Sequence, residues 1–150
     1  MDQFKIEYFE RDNPGKQFPC YRSLSEGEMH RIRENVAKLL GFSSVEPLDL
    51  VKEIDTREEL VEGYNAERSD FRLSSVLASL NIKPQEIVYL NWYRYGQIDE
   101  MAFADIDKYL DDIWYPGPDD LDIFDASFKW ILTITHDGAV QFLDLHGKED

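Results

Sequence analysis

The clearest structural signal of the chain lies in residues 128–145, FKWILTITHDGAVQFLDL. Large apolar side chains alternate here with more polar ones, which is the period of a strand with one buried face; they are Phe128, Trp130, Leu132 and Ile134. The dipeptide Asp137-Gly138 is typical of a hairpin turn, and Val140 to Leu145 can return as the second strand. These residues predict a C-terminal β-hairpin with Trp130 and Leu132 in the core.

Strand and helix signals continue upstream of the hairpin. Alternation predicts strands at about 4–8, 86–92 and 121–124, the second of them apolar on both faces and therefore inside the sheet. Helical spacing and capping signals predict helices at about 26–40, in a short segment after the capping box at 56–59, at 70–80 and at 104–114. The sequence therefore predicts an α+β fold: an antiparallel sheet with a C-terminal β-hairpin, packed against about four helices, in a single domain over residues 1–150.

The net charge of the chain is strongly negative. Its 150 residues carry 31 acids and 16 bases, a formal charge of −15. Such a charge repels nucleic acid and anionic membranes and favours fast encounter with a basic protein. The one cysteine, Cys20, excludes an intramolecular disulfide and is typical of a reducing compartment. We therefore expect a cytoplasmic protein with a basic protein partner, and neither nucleic acid nor membrane as a ligand.

More than half of this charge is concentrated in one segment. Residues 96–125 contain ten acids and one base, whereas residues 1–40 contain seven of each. This concentration predicts a docking surface for a basic partner, and we expect its acidic contacts to include Asp111, Asp112, Asp119, Asp120 and Asp122. The alternative is that the acids only solvate the surface of a generic structural or regulatory domain.

Aromatic residues flank this segment. Trp92 and Trp114 fit the core, whereas the tyrosines at the ends of the same elements are candidates for the rim of an interface; they are Tyr93, Tyr95 and Tyr115. Ordinary packing inside the sheet is the alternative for all of them.

Catalysis is the rival class of function. Asp119, Asp120 and Asp122 supply closely spaced oxygen ligands for a metal-dependent hydrolase, but the segment lacks the turn glycine and closing Glu of a calcium loop. Cys20 with a histidine could form a thiol–imidazole pair, without any flanking signature. We expect no cofactor, no tight metal site and no catalytic residue.

The segment from Trp114 to Leu145 combines the loop WYPGPDD, residues 114–120, with the hairpin. In this combination it resembles small acidic bacterial proteins, some uncharacterised and some that act as immunity proteins in toxin systems. The resemblance implies a protein that binds and masks a toxin and performs no chemistry.

Overall fold

The computed structural model describes residues 1–92 and 95–145. Tyr93 and the C-terminal residues 146–150, which the sequence suggests to be a frayed tail, lie outside this range. The helices within it are α1 (Gln3–Asp12), α2 (Glu26–Leu40), α3 (Pro47–Arg57), α4 (Leu73–Ser79), α5 (Phe103–Lys108) and α6 (Leu110–Ile113). The strands are β1 (Tyr21–Ser23), β2 (Glu59–Asn65), β3 (Ile87–Asn91), β4 (Ile98–Ala102), β5 (Leu121–Phe124), β6 (Trp130–Ile134) and β7 (Ala139–Asp144).

The strands form one antiparallel sheet in the order β1-β4-β3-β5-β6-β7-β2. Helices cover both of its faces. In β6, Trp130, Leu132 and Ile134 pack in a core that includes residues of α1, α4, α5 and α6. Ile131 points to the other face, into a core that includes residues of α2 and α3. The predicted α+β fold is thus confirmed.

The predicted C-terminal hairpin is confirmed as β6 and β7, with Trp130 only 4% exposed and Leu132 fully buried. Gly138 is required at the turn because its φ is +87° and a Cβ there would collide with the Asn65 side chain. Three further predictions are confirmed: α2 with its capping box, β3 in an interior position between β4 and β5, and β5 itself.

The strand predicted at 4–8 is wrong, because these residues belong to helix α1. Phe4, Ile6 and Tyr8 alternate, but the contacts that bury this segment are made by Lys5 and Phe9, one helical turn apart. Phe9 packs edge-on against the Tyr109 ring at 5.3 Å. Tertiary packing therefore outweighs the short alternating pattern.

The helix predicted after 56–59 is also wrong. Thr56 lies near the end of α3, where its hydroxyl donates to the Lys52 carbonyl, instead of capping a new helix. The signal that marks α3 is Pro47 at its first turn. The next residues form β2, an edge strand that pairs with β7.

The helix predicted at 104–114 is interrupted. Tyr109 leaves the helical conformation, with φ −112° and ψ 26°, and separates α5 from α6. Strands β1 and β4 were not predicted from the sequence.

Within the described residues, no helix combines the length and hydropathy needed to cross a membrane.

Candidate functional site

The acids between residues 96 and 125 do not form one surface. Asp99 is fully buried and accepts a hydrogen bond from the Trp92 indole at 2.9 Å. Asp125 is also buried and accepts the backbone N–H groups of Gln85 and Ser127 at 3.0 and 2.9 Å. The preference for Asp over Glu in this segment is thus explained in part by short carboxylates that bond to nearby backbone.

Asp119 is a further internal carboxylate. Its Oδ2 lies 2.6 Å from the Nζ of the fully buried Lys5 and accepts the Tyr115 N–H at 2.8 Å. The Lys5 ammonium also lies 3.9 Å from the centre of the Trp92 ring. Asp119 therefore anchors α1 to the loop after α6, and the structure places it in the interior, not at the predicted docking surface.

An exposed group of aromatic and acidic side chains lies where α1 meets α6 and the following loop. Phe4 and Tyr8 are 38% and 43% exposed, and the Phe4 ring lies 5.8 Å from Tyr8 and 5.7 Å from Tyr115. Carboxylates from both elements lie beside these rings. We call the whole group the aromatic–acidic surface; it consists of Phe4, Tyr8, Asp12, Asp111, Asp112 and Tyr115.

The electrostatics of this surface show that its acids and phenols are close to one another. Partial burial, then Asp111 and Asp12, raise the pKa of Asp112. Burial, then Asp112, Tyr8 and Asp12, raise the pKa of Tyr115. Two bases of α1 lie near this surface: Arg11 is paired with Asp12 at 3.0 Å and stacks over the Tyr8 ring, and Lys5, which is paired with Asp119, lies 5.3 Å from the centre of the Tyr115 ring. The surface thus carries excess negative charge.

The structure therefore brings together Asp111, Asp112 and Tyr115 of the predicted site. It adds Phe4 and Tyr8, which the sequence analysis missed by assigning them to a strand. The signal that could have found them is their spacing of four residues, which places both on one face of a helix.

Tyr95 lies in the interior, contrary to the prediction of a rim position. It is fully buried, in the core that α2 and α3 cover, and its backbone is left-handed, with φ +56°. The Asn91 side chain accepts its N–H and the Arg33 guanidinium donates to its carbonyl. Tyr93, the third predicted tyrosine, is outside the described residues.

Asp122 belongs to a row of polar side chains across the sheet. The register pairs Asn91 of β3 with Asp122 of β5, Asp122 with Thr133 of β6, and Thr133 with Gln141 of β7. The Asn91 amide donates to Asp122 Oδ2 at 2.8 Å, and Thr133 Oγ1 lies 2.6 Å from Asp122 Oδ1. Burial raises the pKa of Asp122 to about 6 despite these hydrogen bonds.

Glu58, at the junction of α3 and β2, joins this row. Its Oε1 lies 2.6 Å from the same Thr133 oxygen. One hydroxyl has one proton, so it cannot donate to both Glu58 and Asp122. Burial, with smaller contributions from Asp122 and Asp55, raises the pKa of Glu58 to about 8. Glu58 is thus protonated at neutral pH and can donate to Thr133, which donates to Asp122. The only sequence signal for this row is a threonine within an otherwise apolar strand.

Asp120, the remaining predicted acid, is exposed and holds His136. Its Oδ1 accepts the His136 N–H at 2.7 Å and lies 3.0 Å from the ring Nδ1. Asp119, Asp120 and Asp122 thus have three different sets of partners. Across residues 1–92 and 95–145, no three His, Cys, Asp or Glu side chains are grouped to hold a metal ion.

Comparisons of the chain with protein-family models, with curated proteins and with solved structures return no match. The resemblance to immunity-type proteins stays a prediction. The functional interpretation that follows depends on the geometry and charge of this chain alone.

Proposed function

We propose that the protein is a non-catalytic binding protein that masks a basic protein partner through its aromatic–acidic surface. The observation that carries this proposal is the cluster of the exposed Phe4 and Tyr8 rings with the half-buried Tyr115, beside Asp112 and its neighbour Asp111. Aromatic rings supply large contact areas at protein interfaces, and neighbouring charges direct encounter and orientation. Masking of a toxin in the cytoplasm, as an immunity protein does, is the specific form of this proposal.

The charge of the chain supports a basic partner. A formal charge of −15 attracts a cationic protein over a distance set by ionic strength, about 10 Å at 0.1 M salt and about 3 Å at 1 M. The carboxylates of Asp111 and Asp112 have no hydrogen-bond or ion-pair partner within the described residues, so they are available to a cationic side chain. The surface thus offers both long-range attraction and local contacts.

The test is to capture the partner from the source cells and to measure its binding kinetics. Converting Asp12, Asp111 and Asp112 together to Asn should lower the association rate by about tenfold at low salt, because steering is lost. Tyr115→Ala should instead act mainly on the dissociation rate, because it removes contact area. Asp119 is left unchanged, because its removal would strand the buried Lys5 charge.

A matched control removes the same charge elsewhere. Glu59, Glu62 and Glu67 are exposed residues in and after β2, and their triple Gln variant changes the net charge equally. It should leave the association rate within about twofold of the parent protein. If both triple variants slow association equally, net charge alone is responsible and the aromatic–acidic surface is not the binding site.

A further inference from the structure

A cavity of about 400 Å³ is lined by the loop between α4 and β3, by the turn between β5 and β6, and by strands β6 and β7. Its volume is within the range of small-ligand sites. Its charged lining consists of two lysines and two aspartates, so these charges balance although the whole chain carries −15; they are Lys83, Lys129, Asp125 and Asp144. We call it the mixed-charge cavity, and it shares no residue with the aromatic–acidic surface.

Asp125 is the buried anionic group of this cavity. It is 1% exposed and accepts from three donors: the Gln85 N–H at 3.0 Å binds Oδ2, and the Ser127 N–H and hydroxyl bind Oδ1. A carboxylate offers about four acceptor positions, so Oδ2 can accept one more donor. Asp125 makes no ion pair within the described residues. Because a buried carboxylate without a cation is costly, a ligand that supplied an ammonium group here would gain binding energy.

The hydrogen bonds of Asp125 also bring the two lysines to the cavity. Lys83 lies two residues before Gln85, and Lys129 lies two residues after Ser127. Both lysines are exposed, and their ammonium groups make no ion pair or hydrogen bond within residues 1–92 and 95–145. They are therefore available to an anionic group of a ligand, which need not displace an internal partner.

The remaining lining of the cavity includes an apolar floor. Trp130 is 4% exposed and belongs to the core on this face of the sheet. Leu80, Ile82 and Phe142 are partly buried, pack against the same core and also line the cavity. An apolar group placed on them would be removed from water, which favours binding.

We propose that the mixed-charge cavity binds a free α-amino acid with an apolar side chain. Its ammonium group would donate to Asp125, and its carboxylate would accept from Lys83 and Lys129. Its side chain would lie on the apolar floor. This inference does not rest on the proposed masking of a basic protein.

Other small ligands fit this lining less well. A simple anion would meet the carboxylates of Asp125 and Asp144, and a simple cation would meet the two lysines. A neutral apolar molecule would leave the buried Asp125 without a cation. The end of a peptide chain carries only one of the two charges, whereas a free amino acid carries both on one carbon atom.

The experiment titrates L-phenylalanine and L-leucine into the protein and follows backbone NMR shifts. Nα-acetyl-L-phenylalanine lacks the ammonium group, L-phenylalaninamide lacks the carboxylate, and glycine lacks the side chain. We expect saturable shifts at residues 80–85 and 125–130 with at least one of the two amino acids. Each control ligand should bind at least tenfold more weakly, which is the scale of a lost charge-assisted hydrogen bond or of a lost apolar contact. No saturable shifts with either amino acid, or equal affinity for L-phenylalanine and any control, would overturn the inference.

Substitutions locate the site. Lys83→Met with Lys129→Met should weaken the binding of L-phenylalanine at least tenfold and should not weaken that of L-phenylalaninamide, which has no carboxylate for the lysines to bind. Lys16→Met with Lys38→Met removes the same charge at exposed positions outside the cavity and should change neither affinity.

Unchanged affinity for L-phenylalanine in the cavity variant, or equal weakening by both double variants, would show that the cavity is not the site. All four lysines are exposed, so the test does not require removal of Asp125, whose hydrogen bonds hold the loop and the turn together. Failure of the aromatic–acidic surface would instead appear only in the partner kinetics.

Discussion

Replacing Glu58 by Gln removes a carboxyl that the fold keeps protonated. The folded protein holds this proton up to about pH 8, the raised pKa of Glu58, whereas the unfolded chain releases it near 4.5. Between these values the folded state binds more protons than the unfolded state. The contribution of Glu58 to stability is therefore fully present below about pH 4.5 and is lost as the pH rises through 8.

The size of the effect follows from the width of this window. Each pH unit corresponds to about 1.36 kcal/mol, so the interval from 4.5 to about 8 sets a ceiling of about 5 kcal/mol. Because Glu58 is only partly buried, solvent screening should reduce the effect to about 2–3 kcal/mol. Gln keeps the size of the side chain and has an amide N–H that can donate to Thr133, as the protonated carboxyl does, but it carries no charge. Glu58→Gln should thus equal the parent protein within about 1 kcal/mol at pH 5 and exceed its stability by about 2–3 kcal/mol at pH 8.5.

The assay is urea unfolding of both proteins at pH 5, 7 and 8.5, followed by tryptophan fluorescence. Glu62→Gln, on the exposed strand β2, is the matched control and should give a difference from the parent protein that does not change with pH. A constant difference between Glu58→Gln and the parent protein across this range would refute the argument. It would mean that Glu58 is ionised in the folded protein at neutral pH.

Three further predictions test the fold and the rival function. Lys5→Met should cost about 3–5 kcal/mol in urea unfolding, because it leaves the Asp119 carboxylate buried without its cation; a loss below 1 kcal/mol would show that the pair is not closed in solution. Trp130→Ala should cost about 3–5 kcal/mol as a large truncation in the core, and a loss below 1 kcal/mol would place Trp130 outside it. Millimolar Mg²⁺ or Ca²⁺ should leave the melting temperature nearly unchanged, whereas a rise of several degrees that disappears in the Asp120→Asn, Asp122→Asn double variant would favour the metal-hydrolase hypothesis.

Strong local signals led to correct predictions. The Asp137-Gly138 turn lies between two alternating segments and identifies the hairpin, and the capping box from Ser25 to Glu28 marks the start of α2. Weak local signals did not: residues 4–8 satisfy a strand pattern over five positions, yet α1 forms because Lys5 and Phe9 find partners in Asp119 and Tyr109. These partners are about a hundred residues away in the chain, so no local pattern could reveal them.

The residues of the candidate site also fall into two groups, those that the sequence predicts and those that only the structure identifies. The composition predicts a strongly acidic protein, and the positions of the acids show that most of the net charge lies in residues 96–125. Both follow from counting charged residues in the sequence. Which acids reach solvent depends on their partners: Asp99, Asp119 and Asp125 are internal, whereas Asp111 is exposed and Asp112 is half-buried beside Tyr115.

The polar row required the full tertiary structure. Asp122 and Thr133 are each the one polar residue of their strands, and strand register alone makes Asp122 the neighbour of Asn91 and Thr133. If the pairing register of any of these strands shifted by one residue, its polar side chain would point to the opposite face of the sheet. The hairpin, helix α2 and the net charge follow from the amino-acid sequence alone, since they depend on near neighbours or on counting residues. Only the packed sheet decided which carboxyls meet, because their proximity and their raised pKa values arise from register and burial between distant segments.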